Sequence, residues 1–225
     1  MARKQAFFKA IQQGDLDTVN QSLASDSRLL YVRNENGASP LLFAIYNGQR
    51  AVVDALLAHG VETNIFEAAA LGDTQRVSDW LDDHPNDLDA LSDDGFPPLG
   101  LAAFFGHEDT AAFLLRNGAD PDLAATNPMQ VRPIHAAVAN RNEQTGYALA
   151  KLLLAHGAEV NVAQHGGWTP LHEAAAHGQN EIVKLLLEYG ANPQAVSDDG
   201  KTPVDMAQQN GHKSTVKLLE AQAQV

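Results

Sequence analysis

The chain has 225 residues, 44% of them apolar and 19% charged, ordinary proportions for a packed globular protein. It contains no cysteine, which excludes disulfides, thiolate zinc sites and cysteine nucleophiles, leaves packing to supply stability, and suits a reducing, cytoplasmic setting. The net charge of −13, with six aspartates and no lysine or arginine between Asp82 and Asp94, argues against a nucleic-acid partner and for a basic one if the partner is charged.

In chain order, the amino-terminal Met1-Ala2-Arg3-Lys4-Gln5-Ala6-Phe7-Phe8 is followed by no long apolar run, and no later stretch approaches the roughly 20 residues that cross a bilayer. Neither export nor membrane insertion is predicted. A motif then recurs: Gly37-Ala38-Ser39-Pro40-Leu41, Gly95-Phe96-Pro97-Pro98-Leu99, Val131-Arg132-Pro133-Ile134-His135, Gly167-Trp168-Thr169-Pro170-Leu171-His172 and Gly200-Lys201-Thr202-Pro203-Val204. Four of its prolines are followed eight positions later by Gly48, Gly106, Gly178 and Gly211. A second set of glycines closes the units at Gly60, Gly118, Gly157 and Gly190.

Proline fixes φ and lacks an amide hydrogen, so each motif proline is predicted to open a helix. The inner glycine can take the left-handed conformation that ends it. A second helix follows, as in Asn180-Glu181-Ile182-Val183-Lys184-Leu185-Leu186-Leu187, whose apolar residues fall on one stripe. These residues resemble the ankyrin repeat, of about 33 residues with a Thr-Pro-Leu-His opening, over almost the whole chain. The run Ile65-Phe66-Glu67-Ala68-Ala69-Ala70-Leu71-Gly72 and the irregular spacing resemble bacterial members of that family. The resemblance implies an all-α solenoid of helix pairs joined by short β-hairpin loops, in which neighbouring units cover one another's apolar stripes.

Seven helix-pair units are expected in a single domain, at 1–36, 37–63, 64–94, 95–130, 131–166, 167–199 and 200–225. The first, with Phe7, Phe8, Ile11, Val19 and Leu23 on its apolar face, reads as an amino-terminal cap. The last, ending Glu220-Ala221-Gln222-Ala223-Gln224, reads as a polar carboxyl cap. Three departures stand out. The third unit lacks its hairpin, leaving a gap in the row. Its tail, Asp82-Asp83-His84-Pro85-Asn86-Asp87-Leu88, is expected to form a long acidic loop. The fifth has Arg141 for the inner glycine and about four extra residues around Asn142–Gly146, predicting an enlarged turn between its helices, and Asn127-Pro128-Met129 predicts a widened hairpin.

Candidate chemistry is sparse. His172 and His177 superficially resemble a zinc-protease helix, but they stand five apart, about 140° round the helix, where that chemistry needs four. By resemblance His135 and His172 bond backbone between repeats, and His107 and His212 follow inner glycines. No Gly-x-Ser-x-Gly elbow or Gly-rich phosphate loop occurs, and the Asp-Asp-Gly tips lack the further oxygen ligands that calcium requires. No catalytic residue, metal or cofactor is therefore assigned.

The resemblance leaves free the positions that face the concave groove: Phe96 and Trp168 on hairpins, and Tyr46, Asn47, Leu71, Phe104, Phe105 and His177 on first helices. Such aromatic side chains favour a partner-binding patch. The acidic tips Glu35, Asp93, Asp94, Asp198 and Asp199 are expected to steer basic residues toward it. The expected role is non-catalytic binding of another protein by a chain that is monomeric without its partner. The alternatives are self-association through Phe104, Phe105 or Trp168, and a metal-dependent enzyme or sensor.

Overall fold

The computed structural model describes residues 2–222; Met1, and Ala223 and Gln224 of the expected carboxyl cap, lie outside them. The described residues form fourteen α-helices in seven pairs: α1 (Ala2–Gln13) with α2 (Leu16–Ser25), α3 (Pro40–Tyr46) with α4 (Arg50–Ala58), α5 (Ile65–Leu71) with α6 (Thr74–Asp83), and α7 (Pro98–Phe105) with α8 (Glu108–Arg116). There follow α9 (Pro133–Val138) with α10 (Glu143–Ala155), α11 (Pro170–His177) with α12 (Asn180–Glu188), and α13 (Pro203–Gln209) with α14 (Lys213–Gln222). First helices stack on first helices and second on second, except that α4 and α6 make little contact, giving a two-layered solenoid.

Local chemistry sets the helix starts. Pro40, Pro98, Pro133, Pro170 and Pro203 each occupy the first turn, where the missing amide hydrogen costs nothing. The hydroxyls of Ser39, Thr169 and Thr202 accept amide hydrogens at their helix starts. The exception is α5, which has no proline and starts instead on a reciprocal cap between Asn64 and Glu67. Its small residues Ala68, Ala69 and Ala70 are fully packed, with Ile65 beneath them.

The connections differ from expectation in three ways. The hairpin loops are tight fingers, each with one backbone bond across its base and one within its turn, and no strand forms among the described residues. Asn34 donates to Ala38, Ser92 to Phe96, Gln164 to Trp168 and Ser197 to Lys201 at 2.9–3.0 Å. In the fifth unit the closing bond runs from Ala125 to Val131, two residues wider, with Gln130 at φ 51°. The acidic tail of the third unit is a 3-10 turn, Pro85–Asp89, because Trp80 stacks on His84 and donates its indole hydrogen to Asp87 at 2.9 Å. The extra residues of the fifth unit go mainly into α10, which has 13 residues against nine in α8 and α12.

The third unit has no finger, as expected, yet the row does not gape. The second unit's finger lies directly against the fourth's: Gly37 faces the Asp93 backbone, and Arg33 pairs with Asp93 at 2.8 Å. The third unit also repeats the plan of the first. Gly14 and Gly72 are 58 residues apart, as are Gly37 and Gly95; Asp15 and Asp73 cap α2 and α6 alike, and each unit ends in a 3-10 turn.

A row of polar staples joins successive units. The side chain after the inner glycine reaches back to a carbonyl at the end of the preceding first helix: Gln49 to Gln12, His107 to Ala70, and His212 to Ala176, at 2.9–3.0 Å. Gln179 makes the same bond to Val138 at 3.0 Å. These bonds satisfy carbonyls that a short helix leaves open. Those of Gln49, His107 and His212 also require glycine opposite: a Cβ at Gly178, φ 73°, would collide with the His212 ring, whereas one at Gly190, φ 87°, would meet nothing within 4 Å. Gly190→Ala is therefore expected to cost about 1 kcal/mol of backbone strain, and Gly178→Ala about 2–3 kcal/mol because the staple is also displaced, measured as urea unfolding midpoints.

Candidate partner-binding groove

Four of the free positions come together. The Tyr46 ring of α3 lies 6.2 Å from Phe96 on the fourth finger and 5.6 Å from Phe105 of α7, and Phe104 meets Phe105 edge-on at 5.1 Å. Tyr46, Phe96 and Phe105 thus spend part of their surface on each other, while Phe104 stays 48% exposed. The remaining positions separate. The Asn47 amide bonds back to Phe43 at 2.8 Å and closes α3. Leu71 lines a cavity between α4 and α6, shared with Phe105. Trp168 and His177 belong to the sixth unit and line no part of the aromatic groove, Trp168 lying 6.4 Å from the His172 ring.

The groove itself holds about 680 Å³ between the second, fourth and fifth fingers and the first helices, walled by Phe43, Tyr46, Phe96, Phe104 and Pro128. It continues toward α1 as a further hollow of about 540 Å³, reached past Phe43 and bordered by Lys4, Phe8, Lys9 and Glu35. Phe43, Pro128 and the two lysines were not singled out in the sequence. Only the wide Asn127-Pro128-Met129 finger carried a signal, since a longer finger reaches further over the helices.

The acidic tips are mostly committed inside the molecule. Asp93 pairs with Arg33, and Asp94 accepts from Tyr46 at 2.9 Å and Ser92 at 2.5 Å. Asp199 accepts from Ser197 at 2.6 Å and pairs with Lys201 at 3.1 Å, which lowers its pKa. Burial and the neighbouring Asp94 keep the Tyr46 phenol protonated far above its usual range. Glu35 and Asp198 have no side-chain partner among the described residues. The first helices carry only three of the 28 acidic residues, Glu67, Glu173 and Asp205, so the negative charge resides in the fingers, the second helices and the outer loops.

His135 and His172 make the inter-unit bonds expected of them, donating from Nε2 to the carbonyls of Trp168 at 3.2 Å and Lys201 at 3.0 Å. Among the described residues no three His, Asp or Glu side chains are arranged to hold a metal, and no helix is long and apolar enough to cross a membrane.

Comparison with known proteins decides the family. A model of ankyrin repeats in three copies matches residues 65–164 and 142–225, and a single ankyrin-repeat model matches residues 36–67. The chain is an ankyrin-repeat protein. It is 24% identical over 175 residues to the probable 26S proteasome regulatory subunit p28 of Saccharomyces cerevisiae, covering 78% of this chain and 65% of that one. It is 32% identical over 92 residues to the B-cell lymphoma 3 protein homolog of Mus musculus, covering 41% of this chain and 19% of that one. Alpha-latrocrustotoxin-Lt1a of Latrodectus tredecimguttatus is 30% identical over 108 residues, 44% of this chain and 8% of the toxin. The aligned stretch spans less than two thirds of each of these proteins. Ankyrin repeats are in general protein–protein interaction modules, which is the class of function this fold serves.

One carboxyl in this ankyrin-repeat protein is out of place. Glu173 of α11 stands in the column that holds Leu101, Ala136 and Met206 in neighbouring first helices, and its Oε2 is buried without a hydrogen-bond partner among the described residues. Burial pushes its pKa up to about 7. A carboxyl with a raised folded-state pKa favours the fold while protonated, fully below about pH 4.5, and that contribution is lost as pH rises through about 7. Glu173→Gln is expected to raise stability at pH 8 by about 1–3 kcal/mol and to leave it nearly unchanged near pH 4.5, read from urea titrations at the two pH values.

Proposed function

We propose that this ankyrin-repeat protein is a non-catalytic, cytoplasmic binding module whose concave groove holds a segment of another protein. The observation that carries the reading is Phe104, a large aromatic side chain nearly half exposed on the floor of a groove walled by Phe43, Tyr46, Phe96 and Pro128. Leaving such a ring in water forgoes burial that an apolar partner side chain would supply, and aromatic anchors in a pocket are where binding energy concentrates. The first helices present little charge to compete for water, so a segment with apolar side chains and a satisfied backbone fits the floor.

A basic segment is favoured by the overall charge of −13 acting at a distance, with Glu35 and Asp198 the tip carboxylates left free for close pairing. Trp168 and His177 would engage only a partner long enough to reach the sixth unit. The yeast relative's designation as a regulatory subunit supports a role in association rather than catalysis.

The test uses the intact chain and Phe104→Ala as baits in a native lysate, followed by affinity measurement with the isolated prey. Loss of one prey with about thirtyfold weaker binding, at an unchanged melting temperature, is the expected result. Equal capture by both baits would remove the groove from the account. Binding that keeps its strength when salt is raised roughly tenfold would remove the basic partner. Concentration-dependent light scattering of the chain alone, abolished by Phe104→Ala, would instead establish self-association.

A further inference from the structure

Four independent features weaken the junction between the second and third units. First, the neighbouring second helices pack in sequence, α2 on α4, α6 on α8, α8 on α10, α10 on α12 and α12 on α14; α4 and α6 alone make at most a marginal contact among the described residues. A cavity of about 580 Å³ opens there, lined by Val53, Leu57, Leu71 and Phe105. Second, the third unit has no finger to lay against the second unit's.

Third, Asp73 stands where Gln49, His107, Gln179 and His212 staple their units to the preceding helix. A carboxylate has no hydrogen to donate, and Asp73 instead caps its own helix by accepting the Arg76 amide at 3.1 Å. Fourth, the buried side chains divide at this place. One cluster comprises Phe7, Ile11, Val19, Leu41, Val52 and Leu56 of α1–α4 with their neighbours; the other runs from Ile65 to Leu219, and Leu42 is its single buried member from α1–α4.

What crosses the junction lies in the inner layer, where α3 packs on α5 with Leu42, Ile45 and Leu71 between the two clusters, and where a few polar and aromatic contacts add to that packing. The Tyr46 hydroxyl donates to Asp94 at 2.9 Å, and its ring packs on Phe96 and Phe105. Arg33 pairs with Asp93 at 2.8 Å, and the buried Ser39 hydroxyl donates to Glu67 at 2.7 Å. In a solenoid each interface is held only by its own contacts, so the poorest one sets where the stack divides.

We propose that α1–α4 open from α5–α14 as one cooperative block, with the Tyr46–Asp94 contact as the latch. The third unit, built on the plan of the first, serves as the starting unit of the second block. Opening separates the two sides of the aromatic groove, because Phe43 and Tyr46 belong to one block and Phe96 and Phe104 to the other.

The experiment is amide hydrogen exchange by mass spectrometry on the full chain and on Tyr46→Phe, which keeps the ring and removes only the hydroxyl. The expected result for the unaltered chain is one common protection level across α1–α4, at least about tenfold below that of α7–α12, with a step between α4 and α5. Tyr46→Phe is expected to lower protection of α1–α4 by a further tenfold or so and to leave α7–α12 unchanged. Protection that declines smoothly toward the amino terminus would mean ordinary end fraying and overturn the proposal. A Tyr46→Phe effect spread equally over all helices, or absent from α1–α4, would overturn it as well.

Discussion

Each first helix in this protein is too short to look after its own carbonyl end. With six to eight residues in α3, α5, α7, α9, α11 and α13, about half of the backbone acceptors in each have no partner within the helix. The next unit supplies donors through Gln49, His107, Gln179 and His212, and on the finger side His135 and His172 reach forward to the carbonyls of Trp168 and Lys201. The units are therefore obligate neighbours for polar as well as apolar reasons. Glycine at the inner turn and alanine along the first helices follow from the same demand, since the stapling ring or amide must come within hydrogen-bonding distance of the preceding backbone.

Where the demand is not met, the molecule changes character. Asp73 cannot donate, Arg141 replaces the inner glycine of the fifth unit, and these two irregular units flank the fourth, whose Phe96 and Phe104 wall the aromatic groove. The groove thus sits where stacking is least regular. Its uncharged floor and the carboxylates of the outer layer divide two tasks between two surfaces: short-range apolar contact inside, long-range field outside.

Much of the fold was legible because proline and glycine act locally. Pro40, Pro98, Pro133, Pro170 and Pro203 all begin helices, and the glycines of the inner turn all take positive φ. The missing finger of the third unit was legible from the short spacing between Gly48 and Gly72. Features that depend on a distant partner were not. The acidic tail became a 3-10 turn because the Trp80 indole found Asp87, and the extra residues of the fifth unit extended a helix because Asn142 capped it one turn early. The 58-residue relation between the first and third units was available in Gly14 and Gly72 but is masked by the change from Phe7-Phe8 to Ile65-Phe66. In the groove, the free positions identified Tyr46, Phe96, Phe104 and Phe105. The internal commitment of Asp93, Asp94 and Asn47, and the turning away of Leu71, depend on contacts that no single stretch of sequence records.

The central claim is that imidazole donors close the backbone of neighbouring units, and it is most directly tested by nitrogen–proton NMR of the histidine rings near neutral pH. Burial lowers the pKa values of His107, His135 and His172, so each ring should be neutral, carry its proton on Nε2, and show that proton in slow exchange with water. Rings that average between tautomers, exchange their protons rapidly and titrate at the ordinary histidine value would contradict it, and the staples would then be incidental to a stack held by apolar packing alone.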